Sequence, residues 1–314
     1  MTPLKFAIIR RNGLGDLLSV MPLVALCKEK FEGCRVTLFI DERAAPLAPY
    51  LEGVDEVVVF SPSVNKYSGL MRTAWSQRGR SFDVAISGRP TPMKLLNIFL
   101  YMLRARERIA YVDEAWHSSL INQPRIYEAG EQRHQMVKSL RLLDPSLESV
   151  PLHLRPRLRV KPALKFQQRT VMVSVSNHRV GSLLDVDKTE RILNQVGGQI
   201  PFQVVINCEP QDERRARSLA AGLKMKSEVV VTASFDDFLR LIAAVDALLI
   251  GDGGIMHLAA ALDKPQVVLF GGTEIWEWAP LSEKAICLRD PHNVNFIPEK
   301  EIQTSLEQVL YALS

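Results

Sequence analysis

The stretch Lys5–Asp16, KFAIIRRNGLGD, joins an apolar run to a glycine-rich turn and to the first residues of a predicted helix. The run Lys5–Arg10 is apolar at consecutive positions rather than at alternating ones, which is typical of a strand covered on both faces. Such strands belong to parallel sheets, where a helix follows each strand and crosses back over the sheet. The stretch therefore predicts the first βα unit of an α/β domain.

The same alternation continues along the chain. Further strands are predicted at Arg35–Ile40, Glu56–Phe60, Asp83–Ser87, Arg108–Val112, Val171–Val175, Phe202–Asn207, Glu228–Thr232, Ala247–Ile250 and Gln266–Phe270. Helices are predicted at Asp16–Lys30, Arg43–Tyr50, Met93–Leu103, Gln132–Leu143, Asp187–Val196, Gln211–Leu223, Ser234–Ala244, Gly254–Leu262 and Glu299–Leu313. The proline-rich stretch Pro151–Gln168 interrupts this rhythm. We predict two Rossmann-like domains, 1–160 and 161–314, with a ligand cleft at the carboxyl ends of their strands.

The composition is that of a globular protein, with 47% hydrophobic and 24% charged residues. No apolar run reaches the roughly 18 residues of a membrane span, and the N-terminal residues lack a signal-peptide pattern. The four cysteines, Cys27, Cys34, Cys208 and Cys287, form no CxxC pair. We interpret them as reduced thiols of a cytoplasmic protein, and no cluster of residues suggests a metal site.

Charge is distributed unevenly along the sequence. Residues 1–150 carry a net charge of +4, residues 151–170 of +6, and residues 171–314 of −6. A basic first half and connector suit an anionic partner such as a lipid surface or a nucleic acid, although a solvated linker has the same composition. The charge distribution alone does not choose among these three interpretations.

The first motif is the turn Arg10–Asp16, RRNGLGD, in which Asn12, Gly13 and Gly15 precede or flank Asp16. As a dinucleotide-binding fingerprint it is incomplete, because Leu18 stands at the third glycine position and Asp16 would repel a pyrophosphate. The glycines also suit a plain tight turn, with Asp16 favoured by the helix dipole. The remaining interpretation makes Asp16 a general base, held ionised in the first helical turn.

The second motif is Ile250–Leu262, IGDGGIMHLAAAL, a strand followed by a glycine-rich turn and a helix of small residues. Backbone N–H groups at such a helix start bind a diphosphate well. A structural turn, with His257 as a packing residue, explains the same pattern.

Together these motifs resemble glycosyltransferase family 9, the heptosyltransferases of lipopolysaccharide synthesis. Gly13–Asp16 and Asp252–Leu262 occur in the order and spacing of that family. The stretch Leu269–Glu274, LFGGTE, is similar to its Gly-x-Thr-Asp/Glu turn, and Trp276–Pro280, WEWAP, loosely matches its Trp–Pro segment. The resemblance implies two domains in the GT-B arrangement and an inverting, metal-independent transfer of a sugar, with no cofactor besides the nucleotide-sugar donor.

The resemblance also assigns roles to residues. Asp16 matches the family's proposed base, and the loop of Asn12, Gly13 and Gly15 lies on the acceptor side. The donor-binding positions are Ser176, His178, Arg179, Glu213, Asp252, Gly253, Gly254, Met256, His257 and Thr273. For Glu213 a solvated helix face remains an alternative. The implied donor is ADP-heptose, and the implied acceptor is a lipid-linked core oligosaccharide at the cytoplasmic face of the inner membrane. With such an acceptor we expect a peripheral contact with that membrane and no nucleic-acid partner.

One segment departs from the family. Where the family usually has a Lys-x-Trp-Pro segment, whose lysine approaches the donor, this chain has Val175–Asp185, VSNHRVGSLLD. His178 or Arg179 offers a replacement for the positive charge, and arginine binds phosphate bidentately. The alternatives are a changed donor, a non-catalytic protein, or a nucleotide-sugar epimerase of similar fold.

A third feature is the basic and apolar stretch Arg89–Arg108, which surrounds the predicted helix Met93–Leu103. Nine largely apolar residues are flanked by five bases, as in a helix that lies on an anionic membrane. A buried helix with basic ends has the same sequence pattern, and we favour the buried helix.

Overall fold

The computed structural model describes residues 3–60, 66–162 and 165–313, without the side chain of Lys66. The chain divides into two compact units, Met1–Pro156 and Arg157–Ser314. The division falls inside the proline-rich connector, and the connector residues after it pair with the second unit, where the N–H of Leu158 donates to the carbonyl of Ala261 at 2.9 Å.

The first unit contains a parallel six-stranded sheet in the order β3-β2-β1-β4-β5-β6. Its strands are β1 Lys5–Arg10, β2 Arg35–Ile40, β3 Glu56–Val59, β4 Val84–Ser87, β5 Glu107–Val112 and β6 Gln123–Ile126. This is the strand order of the doubly wound nucleotide-binding fold, in which the chain reverses direction across the sheet beside β1.

The second unit repeats this topology, because its sheet has the order β12-β11-β10-β7-β8-β9. Its strands are β7 Thr170–Ser174, β8 Gln203–Cys208, β9 Ser227–Val231, β10 Ala247–Gly251, β11 Gln266–Gly271 and β12 Ala285–Asp290. The predicted α/β class with two Rossmann-like domains is confirmed.

Helices cover both sheets. They are α1 Leu14–Leu18, α2 Met21–Lys30, α3 Lys66–Gln77, α4 Lys94–Met102, α5 Gln135–Arg141, α6 Val186–Gly197, α7 Glu213–Gly222, α8 Phe235–Ala244, α9 Gly254–Ala261, α10 Ile275–Trp278 and α11 Glu299–Tyr311. Ser234 caps α8, where its hydroxyl accepts the N–H of Asp237 at 3.1 Å.

Burial explains why the central strands are continuously apolar. In β1 and β2, five consecutive residues of each strand are buried, since helices cover both faces of the sheet. On one face of the first sheet, Phe39, Phe60 and Phe99 pack with ring centroids 5.4 to 6.4 Å apart. The favoured buried interpretation of α4 agrees with this packing, because Leu96, Phe99 and Leu100 are buried in the same cluster.

Each sheet has one strand more than the sequence predicted. The additional strands, β6 and β12, lie at sheet edges, where one face or one side is open. β6, with the sequence QPRI, contains Pro124, which an edge strand tolerates because one of its sides needs no ladder donor. β12 was missed although Ala285–Leu288 are apolar, and all six of its residues are only partly buried.

Two helix predictions were wrong in part, and the helices α3 and α10 were not predicted. The predicted helix Asp16–Lys30 is two helices, because Pro22 lacks an N–H and starts a new helix after Ser19 and Val20. The predicted helix Arg43–Tyr50 is a 3₁₀ segment, Glu42–Tyr50, with two prolines that prevent an α-helical ladder. The helix α3 was not predicted, since its sequence is mostly polar.

Candidate functional site

Asp16 lies in the first turn of α1, directly after the carboxyl end of the central strand β1. Its Oδ1 accepts a hydrogen bond from Nη2 of Arg10 at 2.5 Å, and its Oδ2 accepts the N–H of Gly13 at 3.3 Å. The side chain is 24% exposed, so it keeps lone pairs directed at solvent. The carboxylate is therefore fixed in position and still accessible to a ligand.

Arg10 holds this turn together from inside the unit. Its side chain is 3% exposed, and it donates to the carbonyls of Asp16 and Gly88, both at 3.0 Å, as well as to the Asp16 carboxylate. Burial lowers the pKa of Arg10, the charge of Asp16 raises it, and the neighbouring Arg89 lowers it further. No role of Arg10 was predicted from the sequence, although a charged side chain at the end of a buried strand needs a hydrogen-bonding or ionic partner.

The loop before α1 is fixed by Asp41, which follows β2. Its carboxylate accepts the backbone N–H of Asn12 at 2.8 Å and pairs with Arg11 at 3.1 Å. Asn12 has a φ of +87°, a left-handed conformation in which asparagine is more frequent than most residues. Asp41 therefore shapes the loop that contains Asn12 and Gly13.

In the second unit, Asp252 follows the carboxyl end of β10 and is completely buried. Its Oδ1 accepts a hydrogen bond from the hydroxyl of Ser182, and its Oδ2 accepts hydrogen bonds from Thr273 at 2.6 Å and from Nη1 of Arg179 at 2.9 Å. The Thr273 hydroxyl also accepts from Arg179 at 3.0 Å. Three of the predicted donor-binding residues, Arg179, Asp252 and Thr273, are thus joined in one network.

Because the Asp252 carboxylate is buried, it cannot contact a ligand directly, and its hydrogen bonds hold the loop that contains Arg179 and Ser182. Asn177 also holds this loop, since its Nδ2 donates to the carbonyl of Asp252 at 3.0 Å. Arg179 is the member of the network that reaches solvent, with 55% of its side chain exposed. Asp252 is therefore a positioning residue that orients Arg179 at the carboxyl edge of the second sheet.

Two glycines allow this loop to approach the strands. A Cβ added to Gly251 would lie 2.0 Å from the carbonyl oxygen of Ser182, and one added to Gly271 would lie 2.2 Å from that of Gly181. A side chain at either position would displace the loop that carries Arg179. These glycines are required for close packing of backbone on backbone rather than for an unusual φ.

The helix α9 begins beside this network. Its N-cap, Gly253, has no side chain to bond the first N–H groups, and a Cβ there would meet only Asn177, at 3.8 Å. The N–H groups of the first turn, including Gly254, are suited to an anion because the helix dipole adds to their charge. Met256 and His257 are buried on α9, and the His257 ring lies 6.1 Å from that of Trp278.

The remaining predicted donor residues form a second polar group after β7 and β8. The Ser176 hydroxyl donates to Asp212 at 2.5 Å and accepts the N–H of Glu209 at 2.9 Å. His178 is 88% exposed, with its Nε2 3.5 Å from a Glu209 oxygen. Glu213 is the first residue of α7 and accepts a hydrogen bond from Nε of Arg217 at 2.9 Å.

Several residues of these networks were not predicted from the sequence. They are Arg10 and Asp41 in the first unit, and Asn177, Ser182, Glu209 and Asp212 in the second. Asn177 and Ser182 lie within the segment that departs from the family, but 70 or more residues separate them from Asp252, so no local pattern pairs them.

The part of the chain that the structure describes contains neither a cluster of metal-binding side chains nor a membrane-spanning helix. Among residues 3–60, 66–162 and 165–313, no three His, Cys, Asp or Glu side chains lie close enough to hold a metal ion together. Within the same ranges, the structure contains no helix with the length and apolar character of a membrane span.

The C-terminal part of the chain is similar to a known family of glycosyltransferases. Residues 190–310, which include β10, α9 and Thr273, match the model of glycosyltransferase family 9 (heptosyltransferase). The chain is 32% identical over 93 residues to lipopolysaccharide heptosyltransferase 2 of Salmonella typhimurium, an alignment that spans 28% of this chain and 27% of that protein. It is 21% identical over 296 residues to lipopolysaccharide heptosyltransferase 3 of Escherichia coli, covering 87% of this chain and 84% of that one.

The chain is thus similar to heptosyltransferases of glycosyltransferase family 9. The fold is similar as well, since E. coli ADP-heptose lipopolysaccharide heptosyltransferase II superposes with a TM-score of 0.81 over 99% of both chains, at 18% identity. Asp252 and Thr273 lie within the matched region, whereas Arg179 and the Asp16 turn precede it.

Proposed function

We propose that this chain is an inverting heptosyltransferase, which transfers heptose from ADP-heptose to a lipid-linked lipopolysaccharide core acceptor. It works at the cytoplasmic face of the inner membrane and needs neither a cofactor nor a metal ion. The match of residues 190–310 to the heptosyltransferase family and the names of the relatives support the sugar and the acceptor. The observation that carries the proposal is the exposed Arg179, oriented by the buried Asp252 beside the open start of α9.

On the donor side, the second unit supplies positive charge at the carboxyl edge of its sheet. The guanidinium of Arg179 has five N–H donors, of which Nη1 is used by Asp252 and Thr273. The other donors, with the N–H groups at Gly253 and Gly254, are available to a diphosphate. Such fixed donors stabilise the charge that develops on a leaving group without needing to reorganise.

On the acceptor side, Asp16 acts as the general base. It accepts the proton of an acceptor hydroxyl while that oxygen forms a bond to the anomeric carbon of the donor. The bond between this carbon and the diphosphate oxygen breaks at the same time, and its electron pair leaves with the nucleoside diphosphate. A single displacement of this kind inverts the anomeric centre.

The test is a transfer assay with the full chain. ADP-heptose and a heptose-deficient core acceptor are incubated with it, and both ADP release and the elongated acceptor are measured. Acceptor-dependent ADP release with an α-to-β or β-to-α change at the transferred sugar supports the proposal. UDP-sugars in place of ADP-heptose serve as the matched donor control.

Three results would contradict the proposal in different ways. Transfer only from a UDP-sugar would show that the Val175–Asp185 segment changes the donor. Interconversion of a nucleotide-sugar without any acceptor would indicate an epimerase. Tight donor binding with no turnover on any acceptor would indicate a non-catalytic member of the family.

A further inference from the structure

The layer formed by α3 and α4 is strongly basic. Residues 66–108 contain nine Lys and Arg and only two acids, Asp83 and Glu107. The two acids lie next to strands, and the Asp83 carboxylate already accepts the backbone N–H of Lys5 at 2.8 Å. The helices themselves contain no acidic residue.

A cavity of about 440 Å³ opens at one end of this layer. It is lined by Trp75, Arg78, Tyr101, Met102, Arg104, Ala105 and Arg108. Trp75 is 60% exposed and Tyr101 is 54% exposed, which is unusual for two large aromatic side chains on neighbouring helices. We call this group the arginine–aromatic cavity.

The cavity contains positive charge that the protein itself does not neutralise. Among the described residues, neither Arg78 nor Arg104 forms an ion pair with a carboxylate. The guanidinium of Arg78 lies over the Trp75 ring, 3.2 Å from its centroid. Arg108 is anchored by the carbonyls of Leu120 and Ala105, and its guanidinium lies 5.7 Å from the Tyr101 ring.

Arg104 occupies a position where another residue would be more stable. It follows the end of α4 with a φ of +56°, a left-handed conformation that favours glycine after a helix. An arginine at this point costs conformational energy, yet it places a third guanidinium at the cavity. The cost is consistent with selection for charge at this place.

The cavity is remote from Asp16 within the first unit. Arg108 is the second residue of β5, so the cavity lies at the amino ends of the strands, whereas Asp16 follows the carboxyl end of β1. The strands are parallel, and six residues at 3.3 Å each separate the two ends by about 20 Å. The cavity therefore belongs to neither the acceptor loop nor the donor network.

We propose that the arginine–aromatic cavity binds a phosphate-bearing lipid headgroup and docks the enzyme on an anionic membrane surface. Arginines bind phosphate bidentately, and exposed Trp and Tyr side chains partition into the interface between water and lipid. Single-stranded nucleic acid fits less well, because the stacked Arg78 already covers one face of the Trp75 ring. This proposal rests on the proposed function only in that the acceptor is lipid-linked.

The position of the cavity has a consequence for the acceptor. If the membrane lies at the amino ends of the strands, an acceptor hydroxyl reaches Asp16 only across about 20 Å. An acceptor with several sugar units between its lipid and the reacting hydroxyl spans such a distance, whereas a hydroxyl next to the lipid does not.

The experiment measures co-sedimentation of the full chain with vesicles of phosphatidylcholine, with and without phosphatidylglycerol. The test variants are R78A/R104A and W75A/Y101A. The matched controls replace exposed residues of the second unit, K224A/K300A for charge and Y311A for aromatic area. All variants should keep the wild-type unfolding temperature, since the altered side chains are exposed or half-buried.

We expect wild type and both controls to bind anionic vesicles and to dissociate as salt is raised. Removal of two bases should weaken partitioning about 30-fold, since each base near an anionic surface contributes roughly a factor of five. R78K/R104K should bind more tightly than R78A/R104A and less tightly than wild type, because lysine keeps the charge and loses the planar fork that binds phosphate bidentately. W75A/Y101A should bind several-fold more weakly than wild type.

The proposal is overturned if wild type binds neutral and anionic vesicles equally, or if the control variants lose as much binding as the test variants. Saturable binding of inorganic phosphate or of a single-stranded oligonucleotide, without vesicle binding, would also overturn it. Vesicle binding needs neither donor nor turnover, so its failure leaves the transfer assay unaffected, and a failed transfer assay leaves the vesicle result unaffected.

Discussion

At the scale of single residues, Asp16 combines a fixed position with an accessible oxygen. Arg10 and Gly13 hold the two carboxylate oxygens, and 24% of the side chain faces solvent. A base that is already oriented needs little reorganisation when the acceptor arrives. The proposed role therefore depends on the carboxylate itself and not on the shape of the turn.

We expect Asp16→Asn to lower the turnover number by about 10²–10⁴, because the amide keeps the size of the side chain and cannot accept the proton. Binding of ADP, measured by calorimetry, should stay unchanged, since the donor network lies in the second unit. Asp41→Asn is the matched control, because Asp41 fixes the same loop without being the proposed base. A turnover above half of the wild-type value in D16N would remove Asp16 from the mechanism.

The second prediction at this scale concerns Arg179. A hydrogen bond to a charged group contributes roughly 1.5–3 kcal/mol, so Arg179→Ala should weaken binding of ADP and ADP-heptose by about 10- to 150-fold. Arg179→Lys should recover part of this loss, because lysine keeps the charge and loses the planar fork. Calorimetric titration of both ligands gives the affinities.

Arg191 provides a control for the loss of an exposed arginine. Its side chain is 57% exposed, against 55% for Arg179, and it pairs with Glu299 on the helical layer. Arg191→Ala should therefore leave donor affinity unchanged. Equal donor affinities in wild type and Arg179→Ala would show that Arg179 does not replace the missing lysine of the family.

At the scale of elements, the close approach of the Val180–Ser182 turn to β10 fixes the donor network. Gly251→Ala would place a Cβ 2.0 Å from the carbonyl oxygen of Ser182. Relief of such a contact typically costs about 1–3 kcal/mol, so the apparent unfolding midpoint should fall by several degrees. Donor affinity should fall as well, because Ser182 and Arg179 move away from Asp252.

Gly198→Ala separates the steric effect from the general effect of replacing a glycine. Gly198 has a negative φ, and a Cβ there would meet its neighbours at 3.5 Å, an ordinary contact distance. This variant should unfold at or above the wild-type temperature and bind donor normally. If Gly251→Ala behaves in the same way, the turn is not rigid and the proposed orientation of Arg179 fails.

The elements also show how far the sequence alone could lead. Buried strands such as β1 and β10 were predicted because an apolar run is a local signal, and the start of α8 was predicted at Ser234, which caps that helix. The edge strand β6 was missed, since an edge needs fewer apolar residues. The Ser182–Asp252 contact was missed because 70 residues separate its partners, and only the fold brings them together.

At the scale of the whole molecule, the two units share one topology and differ in the chemistry at the carboxyl edges of their sheets. In the first unit, the turn after β1 presents a partly exposed carboxylate, Asp16. In the second unit, the turn after β10, whose counterpart in the first sheet is the turn after β4, presents an uncapped helix start at Gly253. Two different turns of one topology thus give two kinds of site, one suited to accept a proton and one suited to bind an anion.

Because the proposed donor site contains its own positive charge and N–H donors, we expect sugar transfer by the intact enzyme to survive exhaustive treatment with EDTA. The charge of a leaving diphosphate must be stabilised, and we assign that task to Arg179 and to the N–H groups at the start of α9, which a chelator does not remove. Turnover should therefore stay within about twofold of the untreated value, a margin small beside the 10² or more expected of a lost catalytic group. The Arg179→Ala variant is the complementary experiment. A lower turnover that added Mg²⁺ partly restores would show that the arginine supplies positive charge which a metal ion can replace. Loss of wild-type activity on chelation, recovered with Mg²⁺ or Mn²⁺, would instead show that a metal ion stabilises the diphosphate and that Arg179 is insufficient.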